Sequence, residues 1–210
     1  MPFLKTIQVD AIATVFVWKI TESLEELFSV YLNDKSKERL NNMRSVVHRK
    51  GFVSIRHLLH QAGYSDKDLY YSEDGKPHLK DGKHISITHS FHFSAIVIGS
   101  HPVGIDIEMN RDKIKTIAHK FVCQSNNYIK EPNLKEQLTV LWGAKEAMFK
   151  IASVPGLSFK EHLPIDAFNL KDKKTTGWIL YNNTRACYDI AFEQIEDFTL
   201  VYAFPQTLLK

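Results

Sequence analysis

Gly104-Ile105-Asp106-Ile107-Glu108 alternates isoleucine with acid. Side chains of a strand point alternately to its two faces. The spacing therefore predicts a strand over 103–109 with Asp106 and Glu108 on one face, about 7 Å apart at a rise of ~3.3 Å per residue. Two carboxylates held so close repel each other unless a cation lies between them or water solvates both. A hard divalent ion with oxygen ligands, such as Mg²⁺, is one neutraliser. The other reading is an edge strand with an apolar inner face and an acidic, solvated outer face. Alternation leaves both open.

Two further runs just upstream, 85–89 and 93–99, read as short strands separated by a few turn residues. Further back, 11–20 reads as a strand and Thr21 as the N-cap of a helix with Leu24, Leu27, Phe28 and Tyr31 on one side. Asn33-Asp34 interrupts, and 35–61 is mostly helical, closed by Gly63. Residues 64–84, punctuated by Asp66, Asp74-Gly75, Pro77 and Asp81-Gly82, read as turns. Beyond the acidic strand, 114–128 is irregularly helical, and Pro132 precedes a strong helix over 133–151. Past Pro155-Gly156, strands are expected at 168–170, 177–180, 187–192 and 198–204. This order is an α+β pattern, not the alternation of a doubly wound parallel sheet. Two lobes are expected, 1–104 and 105–210.

The chain has 210 residues, 44% hydrophobic and 24% charged, the profile of one large or two small globular domains. No apolar run approaches the roughly 18 residues that cross a bilayer, so no membrane partner is expected. Residues 11–18 suit a strand better than the apolar region of a signal peptide, because no small-residue cleavage site follows. Cys123 and Cys187 offer neither CxxC spacing nor a disulfide framework, and a reducing cytoplasm is expected. A net charge of +3 permits an acidic partner or a polyphosphate ligand and demands neither. Between Lys35 and Arg56 stand Lys37, Arg39, Arg44, His48, Arg49 and Lys50, with Glu38 as the single acid. No nucleic-acid-binding motif accompanies them, so no nucleic acid is expected.

The strong helix contains Trp142-Gly143-Ala144-Lys145-Glu146-Ala147-Met148-Phe149-Lys150. At ~100° per residue, Leu134, Leu138, Leu141, Trp142, Met148 and Phe149 form one apolar arc. Glu146 falls at its rim with Lys150 one turn on, either as a solvated i,i+4 pair or as two groups at a cleft. Lys145 projects into the middle of the arc, where a lysine either snorkels outward or meets an anion or carboxylate. Upstream, Gly75-Lys76-Pro77-His78 offers a turn with a cation at its tip. Thr88-His89-Ser90 ends a strand with hydroxyls on either side of an imidazole. His89 is either structural or ligand-binding. No GxSxG elbow surrounds the serines, and His89, His92 and His101 lack the HExxH spacing of a zinc site.

In that order, Gly-Lys-Pro, a strand ending in Thr-His-Ser, Gly-Ile-Asp-Ile-Glu and Trp-x-x-Lys-Glu-Ala-x-x-Lys resemble the 4′-phosphopantetheinyl transferase superfamily. The chain length and motif separation resemble its larger single-chain type, which activates peptide, polyketide and fatty-acid synthases. The motifs run from Gly75 to Lys150. The resemblance implies two similar α+β lobes related by a pseudo-two-fold, with the active site between them. It further implies a monomer, coenzyme A as co-substrate, and an acyl or peptidyl carrier protein whose serine accepts the phosphopantetheine while 3′,5′-ADP leaves.

Carried over by position, the resemblance makes Asp106, Glu108 and Glu146 the ligands of Mg²⁺. Glu146 and Lys150 become the catalytic pair, with Lys150 on the pyrophosphate. Lys76, Thr88 and His89 would hold phosphates of the nucleotide end; Thr88 stands where many relatives carry Ser. Arg44 and Arg49, with Arg56 behind them, are candidates for the adenosine 3′-phosphate. A serine hydroxyl needs a base within hydrogen-bond reach, a role open to Glu146. Segment 114–128, with Lys113 before it and Lys115, Lys120, Phe121 and Tyr128 within it, is expected to receive the acidic carrier. Two rivals share the acids: a metal-dependent nucleotide phosphohydrolase, and a carrier-binding module with an inactive site.

Overall fold

A computed structural model describes residues 3–206, and the chain divides into two units at His101/Pro102. The first unit opens with strands β1 (Phe3–Val9) and β2 (Ala13–Lys19). β1 is absent from the sequence reading because none of its residues is fully buried and Lys5 interrupts its half-buried apolar face of Phe3, Ile7 and Val9. Helices α1 (Leu24–Leu27), α2 (Asp34–Asn41) and α3 (Val46–Gln61) follow. The cap of α1 is Ser23, not Thr21: Ser23 Oγ accepts from Glu26 N at 3.2 Å, and Glu26 Oε2 accepts from Ser23 N at 2.7 Å. This reciprocal box satisfies two backbone donors at once. The expected single helix over 35–61 is two, because Asn33 and Ser45 each cap a new start.

Residues 64–84, read as turns, contain the small hairpin β3 (Leu69–Tyr71) and β4 (Pro77–Leu79). Next come β5 (His84–Ser90) and β6 (Phe93–Gly99), close to their expected limits. The four-stranded antiparallel sheet runs β1-β2-β6-β5. Trp18, Ile85, Ile96 and Ile98 of the sheet pack with Phe52, Ile55, Leu58 and Leu59 of α3 in one core. Arg56 lies inside this unit. Its Nε donates to Asp66 Oδ1 at 2.9 Å, both side chains are almost fully buried, and its guanidinium sits 3.6 Å from the Phe52 ring centre. Asp66 also accepts from Asn33 N and Ser36 Oγ. A buried ion pair needs this saturation to offset its desolvation.

The second unit contains β7 (Gly104–Met109), α4 (Lys113–Ile117) and α5 (Leu134–Ala152). It ends with β8 (Lys174–Tyr181), β9 (Thr184–Ile195) and β10 (Phe198–Pro205). Its antiparallel sheet runs β7-β10-β9-β8. Leu138, Leu141, Ala144 and Met148 of α5 share a core with Phe192, Val201 and Ala203 of the sheet. The helix stops at Ser153, whose backbone is left-handed (φ 48°) and whose N–H caps the Phe149 carbonyl. The expected strand at 168–170 is not one. Phe168 is a buried anchor packed on Tyr128 and Phe192, and Leu170 opens a short 3₁₀ turn. A short apolar run does not distinguish a strand from a buried loop. The fold is α+β, and no helix among the described residues is long and apolar enough to cross a membrane.

Candidate active site

β7 is an edge strand, yet its acidic face is not the solvated outer face of the blander reading. Asp106 is only 5% exposed, and Ile105 and Ile107 on the opposite face are 0% and 1% exposed. The acids turn toward α5. A Cβ on Gly104 would overlap the Ala147 carbonyl oxygen and lie 2.7 Å from its carbon. One on Gly143 would lie 2.7 Å from Val201 Cγ2 and 3.6 Å from Asp106 Oδ2. Gly104 thus lets β7 meet the backbone of α5, and Gly143 admits the Val201 side chain of β10 beside Asp106, with the acids in the seam.

Lys150 does not form the i,i+4 helix pair with Glu146. Its Nζ reaches across to β7, 2.9 Å from Asp106 Oδ1 and 2.8 Å from the Ile105 carbonyl. An ammonium has three donors, so two are engaged. Glu146 is held up at about 7. Burial is the first cause, the charge of Asp106 the second, with Glu108 adding to it and Lys150 opposing. Its neighbours place Glu146, Asp106, Glu108 and Lys150 in one electrostatic group.

Among the described residues no three His, Cys, Asp or Glu side chains are already gathered around a single point. The donor set nevertheless fits Mg²⁺. It is all hard oxygen, and burial together with the charges of Asp106 and Glu108 holds the Glu146 carboxyl up at about 7, a repulsion that a divalent cation would relieve.

This crowding has a sign that can be measured. Because the folded pKa of Glu146 is raised, the native state keeps a proton between 4.5 and about 7 that the unfolded chain has released. Stability should therefore fall as pH rises through that window, opposite to the usual carboxylate. In chelator, the melting midpoint of the wild type should drop between about pH 5 and about pH 8, and Glu146→Gln should flatten the drop. Added Mg²⁺ should raise the midpoint more at the higher pH. Calorimetry across pH checks both.

The other expected site residues lie in the first unit. Lys76 sits at the turn before β4, half-buried, with its pKa lowered by desolvation. Thr88 is buried on β5 and His89 is exposed beside it. The His89 ring rests on α3, where a Cβ at Gly51 would come within 2.8 Å of it, and lies 5.9 Å from the His48 ring. Arg44 is exposed just before the cap of α3; Arg49 is half-buried one turn in. The Arg49 Nε is buried and makes no hydrogen bond.

Three expectations need correction. Arg56 is consumed by Asp66 and is not available to a phosphate. Lys145 neither snorkels nor meets an anion. It is fully buried, bonds two backbone carbonyls, and burial lowers its pKa to about 8. Within 114–128, Phe121 is 0% exposed and Tyr128 packs on the core, so neither offers a docking surface. The sequence reading also missed Gly51 and Gly143. Glycine inside a helical run was the available signal, since it marks a close approach. A cleft of about 320 Å³ in the first unit, bordered by Gln8, Tyr64 and Lys83, includes none of these residues.

Residues 102–203, from just before β7 nearly to the end of β10, match the family model described as the 4′-phosphopantetheinyl transferase superfamily. The chain is 27% identical over 171 residues to 4′-phosphopantetheinyl transferase gsp of Aneurinibacillus migulanus, covering 79% of this chain and 67% of that one. It is 27% identical over 165 residues to 4′-phosphopantetheinyl transferase Sfp of Bacillus subtilis (strain 168), covering 72% and 71%. A third relative, a 4′-phosphopantetheinyl transferase of Bacillus subtilis, is 30% identical over 136 residues, covering 61% and 58%. Residues 102–203 thus belong to the 4′-phosphopantetheinyl transferase superfamily, and the three relatives support that class of enzyme for the chain. Membership implies coenzyme A as co-substrate and a carrier protein as partner.

Proposed function

We propose that this enzyme transfers the 4′-phosphopantetheine of coenzyme A to a serine of an apo acyl or peptidyl carrier protein and releases 3′,5′-ADP. One observation carries the reading: buried Asp106 and half-buried Glu108, Glu146 and Lys150 form one charged cluster, in which Lys150 bonds Asp106 and Glu146 is held up at about 7, inside the segment that matches the family. Asp106, Glu108 and Glu146 would hold Mg²⁺, which when bound supplies positive charge to the pyrophosphate and the departing phosphate. Glu146 takes the proton of the carrier serine as its oxygen attacks the phosphorus that bears pantetheine. The bond from that phosphorus to the oxygen bridging the two phosphates breaks, and the 3′,5′-ADP fragment carries away the electron pair. The remaining ammonium donor of Lys150 would steady a phosphate oxygen.

The nucleotide end of coenzyme A is assigned to the first unit: Lys76, Thr88 and His89 for phosphates, Arg49 ahead of Arg44 for the 3′-phosphate. What supports Arg49 is the use of its neighbours elsewhere. Arg39 stacks 4.8 Å from the Tyr71 ring centre, Lys50 donates to the Glu22 carbonyl at 2.6 Å, and Arg56 pairs with Asp66. Charge-assisted bonds to phosphate contribute about 1.5–3 kcal/mol. Arg49→Ala should therefore raise KM for coenzyme A by about 10- to 100-fold and leave 3′-dephospho-coenzyme A nearly unaffected. Steady-state kinetics with both substrates decides it.

Mass spectrometry of an apo carrier incubated with the enzyme, coenzyme A and Mg²⁺ tests the function. A gain of one phosphopantetheine on the carrier supports transfer. Hydrolysed coenzyme A with an unmodified carrier would mean a phosphohydrolase. A carrier bound but unchanged would mean an inactive module.

A further inference from the structure

Lys145 is fully buried in the middle of the apolar face of α5. Its Nζ donates to the Phe121 carbonyl at 2.8 Å and the Phe159 carbonyl at 2.6 Å. These carbonyls belong to different segments, one preceding α5 and one following it. The rings of those two residues in turn pack on α5: Phe121–Trp142 at 5.2 Å, Trp142–Phe159 at 5.3 Å and Phe149–Phe159 at 5.5 Å between centres. No carboxylate pairs with it among the interactions of the described residues.

A cation desolvated this completely is unfavourable, and packing alone would be served as well by a methionine or leucine. What the ammonium adds is direction. Two backbone carbonyls from separate segments are drawn to one point on the helix that bears Glu146 and Lys150. The segment reaching back from Phe121 contains Lys113, Lys115 and Lys120. Lys120 is exposed, and Lys115 keeps part of its surface while pairing with Asp112.

We propose that Lys145 is a positioning residue for the carrier protein: it ties the basic segment before α5, and the turn after α5, to the helix that holds the reacting groups. This rests on the transfer function proposed above. The acidic carrier then meets a lysine-bearing surface held in register with Glu146, while the coenzyme A contacts do not involve the tie.

Lys145→Met keeps the length and apolar stem and removes the ammonium. With the wild-type rate measured first, the expected result is a KM for the carrier raised by about tenfold, and a KM for coenzyme A changed by less than about twofold. Hydrogen exchange should quicken in 118–122 and 157–161 and stay unchanged in β8–β10. Lys145→Gln, which retains a neutral donor, should recover part of both effects, and it carries the test if the methionine variant is insoluble. An unchanged carrier KM with only a lowered melting midpoint would reduce Lys145 to a structural role and overturn the proposal. A raised KM for coenzyme A would overturn it too, by placing Lys145 at the co-substrate. A wild-type enzyme that modifies no carrier would refute the transfer function itself. Exchange would still decide the tie, because it reads the segments without turnover.

Discussion

Glu146→Gln should lower kcat by roughly 10²–10⁴ while KM for coenzyme A stays nearly constant. The substitution keeps the size and one oxygen donor but removes the carboxylate that, as proposed, accepts the serine proton. Its place on α5 motivates the expectation. Without metal, burial and the nearby Asp106 hold the Glu146 carboxyl up at about 7, which shows that it lies in the charged seam between α5 and β7. Asp106, by contrast, is already bonded to Lys150. Raising Mg²⁺ separates base from ligand. A base cannot be restored by more metal, whereas a weakened ligand can be compensated by mass action. Recovery of most of the wild-type rate at high Mg²⁺ would therefore remove Glu146 from the proton transfer and leave it as a ligand.

Gly104→Ala should be the most destabilising small substitution in the second unit, with a loss above about 3 kcal/mol, beyond the usual range for an added methyl group. The new Cβ would fall on the backbone of α5, at the Ala147 carbonyl, with Ile151 Cγ1 at 3.0 Å behind it. A backbone cannot rotate aside as a flexible side chain can, so β7 and α5 must separate, and with them Asp106 and Lys150. Gly82→Ala is the control. It has φ +83° and nothing within 4 Å of its Cβ, so only conformational strain of about 1 kcal/mol is at stake. Urea unfolding of both variants measures the difference, and equal midpoints would show that helix and strand are not in close backbone contact.

The acidic strand, its two upstream neighbours and the helix over 133–151 were legible because each is long or regular enough for a period to show. β5, β6, β7 and α5 lie within a few residues of their expected limits. What escaped was local or unburied. β1 has no buried residue to betray it. The boundary between α2 and α3 depends on which of several polar residues caps, and Ser45 is one among many candidates. Phe168 is apolar because it plugs a core, not because it belongs to a strand.

For the site, sequence by itself determined the chemical inventory: two acids on one strand face, a third with two lysines on a facing helix, and a basic run upstream. The order of those motifs carried the family. Only the tertiary structure decided which charges are available for chemistry, because that depends on partners distant in sequence. Arg56 is neutralised by Asp66, Lys150 is drawn to Asp106, and Lys145 bonds two carbonyls. A lysine on a helix reads the same whether it ends in water, on a carboxylate or on two buried carbonyls. Burial makes the difference, by forcing each desolvated charge to find the one partner that three-dimensional packing brings within hydrogen-bond reach.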